Sequence, residues 1–162
     1  MVAQVLSWRE LESAEPALAA AAGDLFRVRK HHVLATLRSN GSPRLSGQEV
    51  WFGEGELWFG VMGGALRARD LQRDGRFELH TSSTDPPNWT GDAKLAGLAE
   101  EITRPEEVRR AMSAQEQVPP GSFHLFRCRL AEVVVTRLGE PADHLVIESW
   151  REGRGALRRD RR

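Results

Sequence analysis

The sequence predicts a mainly β protein, a closed or nearly closed antiparallel barrel of six or seven strands with flanking helices. From Val33 onward, short apolar runs rich in β-branched and aromatic residues alternate with turn signals, which is typical of strands joined by hairpins. Closing such a sheet removes the exposed edges that so many strands would otherwise present. The length of 162 residues favours one domain covering 1–162, without a linker that divides it.

Two helices are predicted in the N-terminal region, residues 1–30. Ser7 and Glu10 have the spacing of a capping box, in which each side chain satisfies a backbone N–H of the first helical turn. Pro16 suits the first turn of a second helix, because its missing N–H would have no partner there. Further helical patterns lie within 63–74 and 104–115.

The strands follow from period-2 patterns and from the turns between them. Asn40-Gly41 is a strong hairpin signal between the first two apolar runs, and Gly53-Glu54-Gly55 turns the chain again. We therefore expect a three-strand meander at the start of the sheet and a long hairpin at its end. The predicted strands cover 33–38, 43–52, 56–62, 76–82, 94–103, 123–138 and 144–150.

Charge and composition exclude several classes of protein. The chain has 23 lysines and arginines against 23 aspartates and glutamates, so no general attraction to nucleic acid is expected. No apolar run approaches the roughly 20 residues that cross a bilayer, so no membrane partner is expected either. The first residues lack the order of a secretory signal, and the single cysteine, Cys128, cannot form an internal disulfide. A cytoplasmic location is the expectation.

The C-terminal residues 151–162 form a basic tail. They carry six arginines against two carboxylates. The pattern favours a solvated, frayed terminus, while an anion-binding groove is the alternative.

The best candidate for a binding site combines two neighbouring segments, SPRLS (42–46) and MGGALRARDLQRD (62–74). A pair of glycines permits close approach of backbone N–H groups to a ligand, and a helix N-terminus suits an anion. Guanidinium groups nearby can clamp a phosphate, although the same arginines also suit a solvated helix face. The residues of this candidate anion site are Arg44, Ser46, Gly63, Gly64, Arg67 and Arg69.

Three segments, taken in order, resemble the pyridoxamine 5′-phosphate oxidase-like family of FMN-binding split barrels. They are ATLRSNGSPRLSG (35–47), ELWFGVMGGALRARDLQRDGRFELH (56–80) and GDAKLAG (91–97). The resemblance covers roughly residues 30–137. It implies a homodimer with two FMN sites at the subunit interface.

The resemblance also implies roles for individual residues. Arg44 matches the strand arginine that meets the flavin phosphate, and Leu45 and Ser46 match positions that line the isoalloxazine ring. Val61 and Met62 match the strand at the ring's other edge.

Two positions depart from the family's pattern. Arg67 stands where the family usually has lysine, and Ala65 stands where it usually has serine. Arginine can replace lysine at a phosphate, but alanine has no hydroxyl to donate. Arg69 is either a second phosphate ligand or an ion-pair partner of Asp70 or Asp74, and the pairing is favoured.

The favoured function is an FMN-binding oxidoreductase in which the flavin carries hydride to or from a small molecule. A deazaflavin-dependent reductase of the same fold and a non-enzymatic flavin-binding dimer are the alternatives. The sequence assigns no catalytic side chain and no substrate. It predicts no metal site, because His31-His32 has no third ligand at a useful spacing.

Overall fold

The protein consists of one antiparallel sheet with helices packed at its ends and sides. A computed structural model describes residues 5–115, 118 and 120–162; the first four residues of the predicted region 1–30 therefore lie outside the described part. The helices are α1 (Trp8–Ala14), α2 (Pro16–Arg27), α3 (Leu66–Arg73) and α4 (Pro105–Met112). The strands are β1 (His31–Leu37), β2 (Pro43–Glu49), β3 (Trp51–Gly53), β4 (Glu56–Met62), β5 (Arg76–His80), β6 (Asp92–Ile102), β7 (Phe123–Leu138), β8 (Leu145–Arg151) and β9 (Gly155–Arg161).

The sheet nearly closes on itself. Its strand order is β2-β1-β5-β6-β7-β4-β3, and β8 and β9 extend it from β7. The strands at the two ends of this order, β2 and β3, are consecutive in the chain and are separated only by Val50. The segment formed by β2, Val50 and β3 thus pairs with β1 through β2 and with β4 through β3. No backbone ladder joins β2 to β4. The predicted fold class, a mainly β split barrel with flanking helices, is confirmed.

The described residues form nine strands instead of the predicted six or seven, because the predicted strand 43–52 breaks at Val50 and because the chain adds β9. The predicted three-strand meander is wrong, since β2 pairs with β1 but not with β4. The break separates two backbone ladders with different partners, which residue periodicity alone does not reveal. The hairpin at Asn40-Gly41 is confirmed, and Gly41 adopts a positive φ of 81° in its turn. The predicted final hairpin corresponds to β7 and β8.

The basic tail is not frayed, which corrects the expectation for residues 151–162. Strand β9 pairs with β8 along its whole length, from Arg151 opposite Gly155 to Leu145 opposite Arg161. All seven of its residues are exposed, so the expected solvation holds while the expected disorder does not. No face of β9 is buried, and the sequence therefore lacks the apolar alternation that would have predicted a strand.

The interior of the barrel holds a continuous apolar core. Phe59 and Phe126 stack at its centre with 5.4 Å between ring centroids, and α1 and α2 pack against the same core. The capping box of α1 is confirmed: Ser7 accepts from the backbone N–H of Glu10 at 3.2 Å, and Glu10 accepts from that of Ser7 at 2.7 Å. A second, smaller cluster lies beneath α4. Within the described part of the chain, none of the helices has the length and hydrophobicity to span a membrane.

Candidate functional site

Strand β2 presents a row of polar side chains to helix α3. Alternate residues of a strand point to opposite faces, so Arg44, Ser46 and Gln48 share the inward face. These three are buried or half-buried, whereas Leu45 on the opposite face is 70% exposed. Helix α3 follows β4 and packs across β1 and β4. The predicted strand and the predicted glycine loop with its helix therefore meet at one place.

Asp70 of α3 anchors one end of this row. Its carboxylate, which is only 3% exposed, accepts from Arg44 Nε at 2.6 Å and from Thr36 Oγ1 at 2.9 Å, and Arg73 Nη2 lies 3.5 Å away. Burial acts to raise the pKa of Asp70, but the hydrogen bonds from Arg44 and Thr36 outweigh it, and the pKa lies below its usual value. The carboxylate is therefore a fixed anion that orients Arg44.

The Arg44 guanidinium retains donors for a ligand. Asp70 occupies its Nε, and within the described residues neither Nη group has a hydrogen-bond partner. The hydroxyl of Ser46, two residues further along the same face, also has no partner there. A bidentate anion contact needs two such parallel N–H donors, which Arg44 supplies.

Arg67 occupies the other end of the row. Its Nε donates to Gln48 Oε1 at 3.2 Å, and no carboxylate in the described part of the chain pairs with it. Burial lowers the pKa of Arg67, yet an arginine stays charged at any physiological pH. A half-buried cation without an anionic partner is costly, which favours a bound anion at this position.

The glycine loop leads into the N-terminus of α3. Gly63 donates its N–H to Ser122 O at 2.8 Å, so this N–H is not available to a ligand, and a Cβ on Gly63 would clash with the Ser122 side chain. Gly64 adopts a positive φ of 79°. Ala65 caps α3 without a side-chain hydrogen bond, so the N–H groups of Leu66 and Arg67 have no partner among the described residues.

A groove of about 340 Å³ opens beside Arg67. Its exposed surface is mostly apolar, while polar atoms come from His31, Gln48, Glu49, Arg67 and Gln115. A cleft of about 600 Å³ shares His31 with the groove and is lined by polar side chains only, from Arg29 to His31 and from Ser82 to Asp85. The flavin ring that the sequence resemblance implies is planar and aromatic and needs apolar walls, so the groove is the better candidate for it. The large apolar residues of the groove are Trp51, Met62, Met112 and Phe123.

The structure separates the predicted site residues into two groups. Of the first group, Met62 and Arg67 line the groove, Gly63 and Gly64 precede α3, and Arg44 and Ser46 lie on the face of β2 that also carries Gln48. The second group does not present its side chains there. Val61 is fully buried in the core, and Leu45 points to the opposite face of β2, so only their backbones can face a ligand.

Arg69 does not form the ion pair that the sequence favoured. The Asp70 carboxylate is engaged as described above, and Asp74 accepts from Arg76 at 2.6 Å. The Arg69 side chain is exposed and makes no hydrogen bond or ion pair with the described residues. Residues two apart on a helix do not face each other, which places Arg69 away from Arg67.

Two important residues of the site were missed from the sequence. Gln48 follows Arg44 and Ser46 at the same two-residue spacing along β2. This spacing indicates that its side chain lies on the same face of the strand. The sequence prediction assigns Asp70 only a pairing with Arg69, although Asp70 is three residues from Arg67 and shares its helix face. Met112 and Phe123 reach the groove from distant parts of the chain, and no local pattern indicates this.

Other reactive residues offer no second site of this kind. Cys128 is fully buried, and burial raises the pKa of its thiol well above the usual value, which makes it unreactive. His32 packs against Phe26 with 4.8 Å between ring centroids, and burial lowers its pKa. Among the described residues, no three His, Cys, Asp or Glu side chains are grouped to hold a metal ion.

Comparison with known proteins relates the architecture to solved structures. No protein-family profile matches the sequence, and no curated protein matches it. A pyridoxamine 5′-phosphate oxidase-related, FMN-binding protein from Nostoc punctiforme superposes with a TM-score of 0.65 at 17% sequence identity, covering 91% of this chain and 96% of that chain. The chain has the split-barrel fold of that protein.

Other split barrels show how diverse this fold is. A heme binding protein from Mycobacterium smegmatis matches with a TM-score of 0.60 and 16% identity, over 91% of this chain and 88% of that chain. The protein Atu2129 of unknown function from Agrobacterium tumefaciens matches with a TM-score of 0.58 and 22% identity. That match covers 74% of this chain but only 56% of the Agrobacterium protein. The fold thus accommodates more than one ligand, and the ligand of this chain has to be argued from its own residues.

Proposed function

We propose that the chain binds FMN in the groove beside α3 and acts as an oxidoreductase of the pyridoxamine 5′-phosphate oxidase-like type. The observation that carries this proposal is Arg67, a half-buried cation that borders an apolar groove and has no carboxylate partner among the described residues. A ligand with an aromatic ring and a phosphate satisfies both features at once. FMN is such a ligand, and an FMN-binding protein is among the structures that share the fold.

The residues present fit a phosphate. Arg67 and the free Nη groups of Arg44 supply charged donors, and the backbone N–H groups of Leu66 and Arg67 point out of the helix N-terminus. The Ser46 hydroxyl is a further donor on the same face of β2. Ala65 has no hydroxyl to donate to the phosphate. The two arginines therefore have to contribute more of the binding energy than they would beside a serine at that position.

The groove fits the ring. Met62 and Phe123 lie on paired strands at positions opposite each other, and Trp51 and Met112 add apolar surface. The indole Nε1 of Trp51 donates to Ala111 O at 3.1 Å, which fixes the tryptophan in place. Methionine adapts its shape to a flat ring and makes favourable sulfur–aromatic contacts. The amide of Gln48 lines the same groove and contacts Arg67.

FMN, once bound, supplies hydride transfer to or from a small organic molecule. The protein's own residues then bind and orient. Arg67 would hold the phosphate end, with Arg44 as a second donor that is itself paired with Asp70, and the apolar walls would exclude water from the ring. His31 and Glu49 also line the groove, with 3.1 Å between Nε2 and Oε1.

A second copy of the chain is part of this proposal. Apolar side chains on β2, β4 and α3 are more than half exposed, with Leu45 at 70%, Met62 at 68% and Leu66 at 55%. Exposed apolar surface of this kind marks a contact that the isolated chain leaves open. We propose that a homodimer covers it, with one flavin site per chain.

The test is the visible spectrum of the purified protein, followed by mass spectrometry of any small molecule released on denaturation. We expect a yellow protein that releases FMN, or a colourless one that quenches FMN fluorescence on titration with one FMN per chain. Anaerobic reduction of the bound flavin and a screen of electron acceptors then separate an oxidoreductase from a flavin carrier. A protein that binds neither FMN nor riboflavin would contradict the proposal, and release of a deazaflavin would replace FMN by the alternative cofactor.

A further inference from the structure

Gln48 lies at the seam of the barrel, where β2 and β4 approach each other without a backbone ladder. The residue is only 4% exposed, which is unusual for a glutamine at the end of a strand. Its Nε2 donates to Gly60 O on β4 at 2.8 Å and to Glu49 O at 2.9 Å. The side chain therefore supplies a cross-strand hydrogen bond at the place where the sheet has none.

These two contacts determine which way the amide points. A backbone carbonyl only accepts hydrogen bonds, so the end of the amide that faces Gly60 O and Glu49 O has to be the NH₂ group. The oxygen of the amide, Oε1, then faces Arg67 and accepts from its Nε at 3.2 Å. The orientation of Gln48 is thus set by the backbone, and Gln48 in turn fixes the guanidinium.

Gln48, the hydrogen-bond partner of Arg67, carries no charge, so the positive charge of Arg67 stays available to a ligand. A carboxylate at position 48 would neutralise the guanidinium, whereas an amide holds it in place and leaves its charge for a ligand. Arg67 lines the groove, and both of its Nη groups are without partners in the described part of the chain. Arg44, at the other end of the row, has a charged partner instead, because the Asp70 carboxylate offsets the charge of its guanidinium.

We propose that Gln48 is the positioning residue that aims the Arg67 guanidinium at the anionic group of the groove ligand and so sets the preference for a phosphorylated over an unphosphorylated flavin. The inference rests on the proposed function, since it assigns the phosphate to Arg67. Gln48 itself does not act on the reacting atoms. It acts through Arg67, and its effect disappears when Arg67 is absent.

The experiment is a double-mutant cycle of Gln48→Met and Arg67→Met, read as the ratio of riboflavin to FMN dissociation constants. We expect the ratio to fall about fivefold to tenfold in Gln48→Met, while riboflavin affinity changes by less than about twofold. In the Arg67→Met background, Gln48→Met should leave the ratio unchanged. The matched control is Gln72→Met, which makes the same replacement at an exposed glutamine of α3 and should not alter the ratio.

If Gln48 only stabilised the fold, the replacement Gln48→Met would change the FMN and riboflavin affinities in a different way. Equal loss of FMN and riboflavin affinity in Gln48→Met, or a lower ratio that persists without Arg67, would overturn the inference. A cavity or an open seam affects the whole groove, so it cannot act on the phosphorylated ligand alone.

A second measurement requires no flavin, so it tests the role of Gln48 independently of the proposed FMN binding. The Nε–H signal of Arg67 in a ¹⁵N-resolved NMR spectrum is identified by its loss in Arg67→Met. We expect its exchange with water to speed up severalfold in Gln48→Met, because the acceptor is gone, and unchanged exchange would overturn the inference. Failure of the wild-type protein to bind either flavin would remove the proposed function, while the exchange rate would still report whether Gln48 holds Arg67.

Discussion

Replacing Asp70 with alanine is expected to lower the free energy of unfolding by about 3–5 kcal/mol. Asp70 is 3% exposed and accepts hydrogen bonds from Arg44 and Thr36, so its removal leaves a half-buried guanidinium and a buried hydroxyl without their partner. Urea unfolding at pH 7 measures the change. The control is Asp74→Ala, which removes a carboxylate from a more exposed pair and should have a much smaller effect.

The same residue makes a contribution to stability that depends on pH. The folded pKa of Asp70 lies below its value of 3.8 in an unfolded chain. The contribution is therefore fully present above about pH 3.8 and is lost as the pH falls through the lower, folded pKa. The stability difference between wild type and Asp70→Ala should shrink when unfolding is measured at decreasing pH below 4. A difference that stays constant on acidification would show that Asp70 is not the ionised anchor described here.

Replacing Arg67 with alanine is expected to weaken FMN binding about 10- to 100-fold, a loss of about 1.5–3 kcal/mol. Riboflavin, which shares the ring but has no phosphate, should bind wild type and Arg67→Ala with similar affinity. Arg44→Ala should act in the same direction, although it also leaves the buried Asp70 unpaired, so its FMN affinity has to be read together with its stability. Fluorescence titration of the three proteins with both flavins gives the six dissociation constants.

The control for Arg67 is its neighbour Arg69. It carries the same charge on the same helix, but it is exposed and has no contact with the groove. Arg69→Ala should leave the FMN affinity within about twofold of wild type. An equal loss in both variants would indicate a general electrostatic attraction instead of a phosphate site at Arg67.

Most of the fold could be predicted from the sequence because its signals are local. The hairpin at Asn40-Gly41, the capping box at Ser7 and the long strand β7 each depend on neighbouring residues and are confirmed. The missed features depend on distant partners. The break at Val50 reflects a change of partner from β1 to β4, and β9 forms because an edge of β8 is available, not because one of its faces is apolar.

The candidate site shows the same difference between features with local signals and features that depend on distant partners. Arg44, Arg67 and the two glycines were identified from residue type, spacing and family resemblance, and the structure brings their segments together. Gln48 and Asp70 determine how the two arginines point, and that role requires contacts between elements. The groove needs α4 and β7 beside β4, so its apolar walls could not be read from any single segment.

The most direct test of the phosphate assignment is a crystal structure of the protein with FMN. We expect the isoalloxazine ring in the groove beside Met62 and Phe123, with phosphate oxygens within hydrogen-bond distance of the Arg67 guanidinium and of the first N–H groups of α3. An FMN phosphate bound instead in the polar cleft near Arg29 and Ser82, or a groove left empty at saturating FMN, would contradict the account.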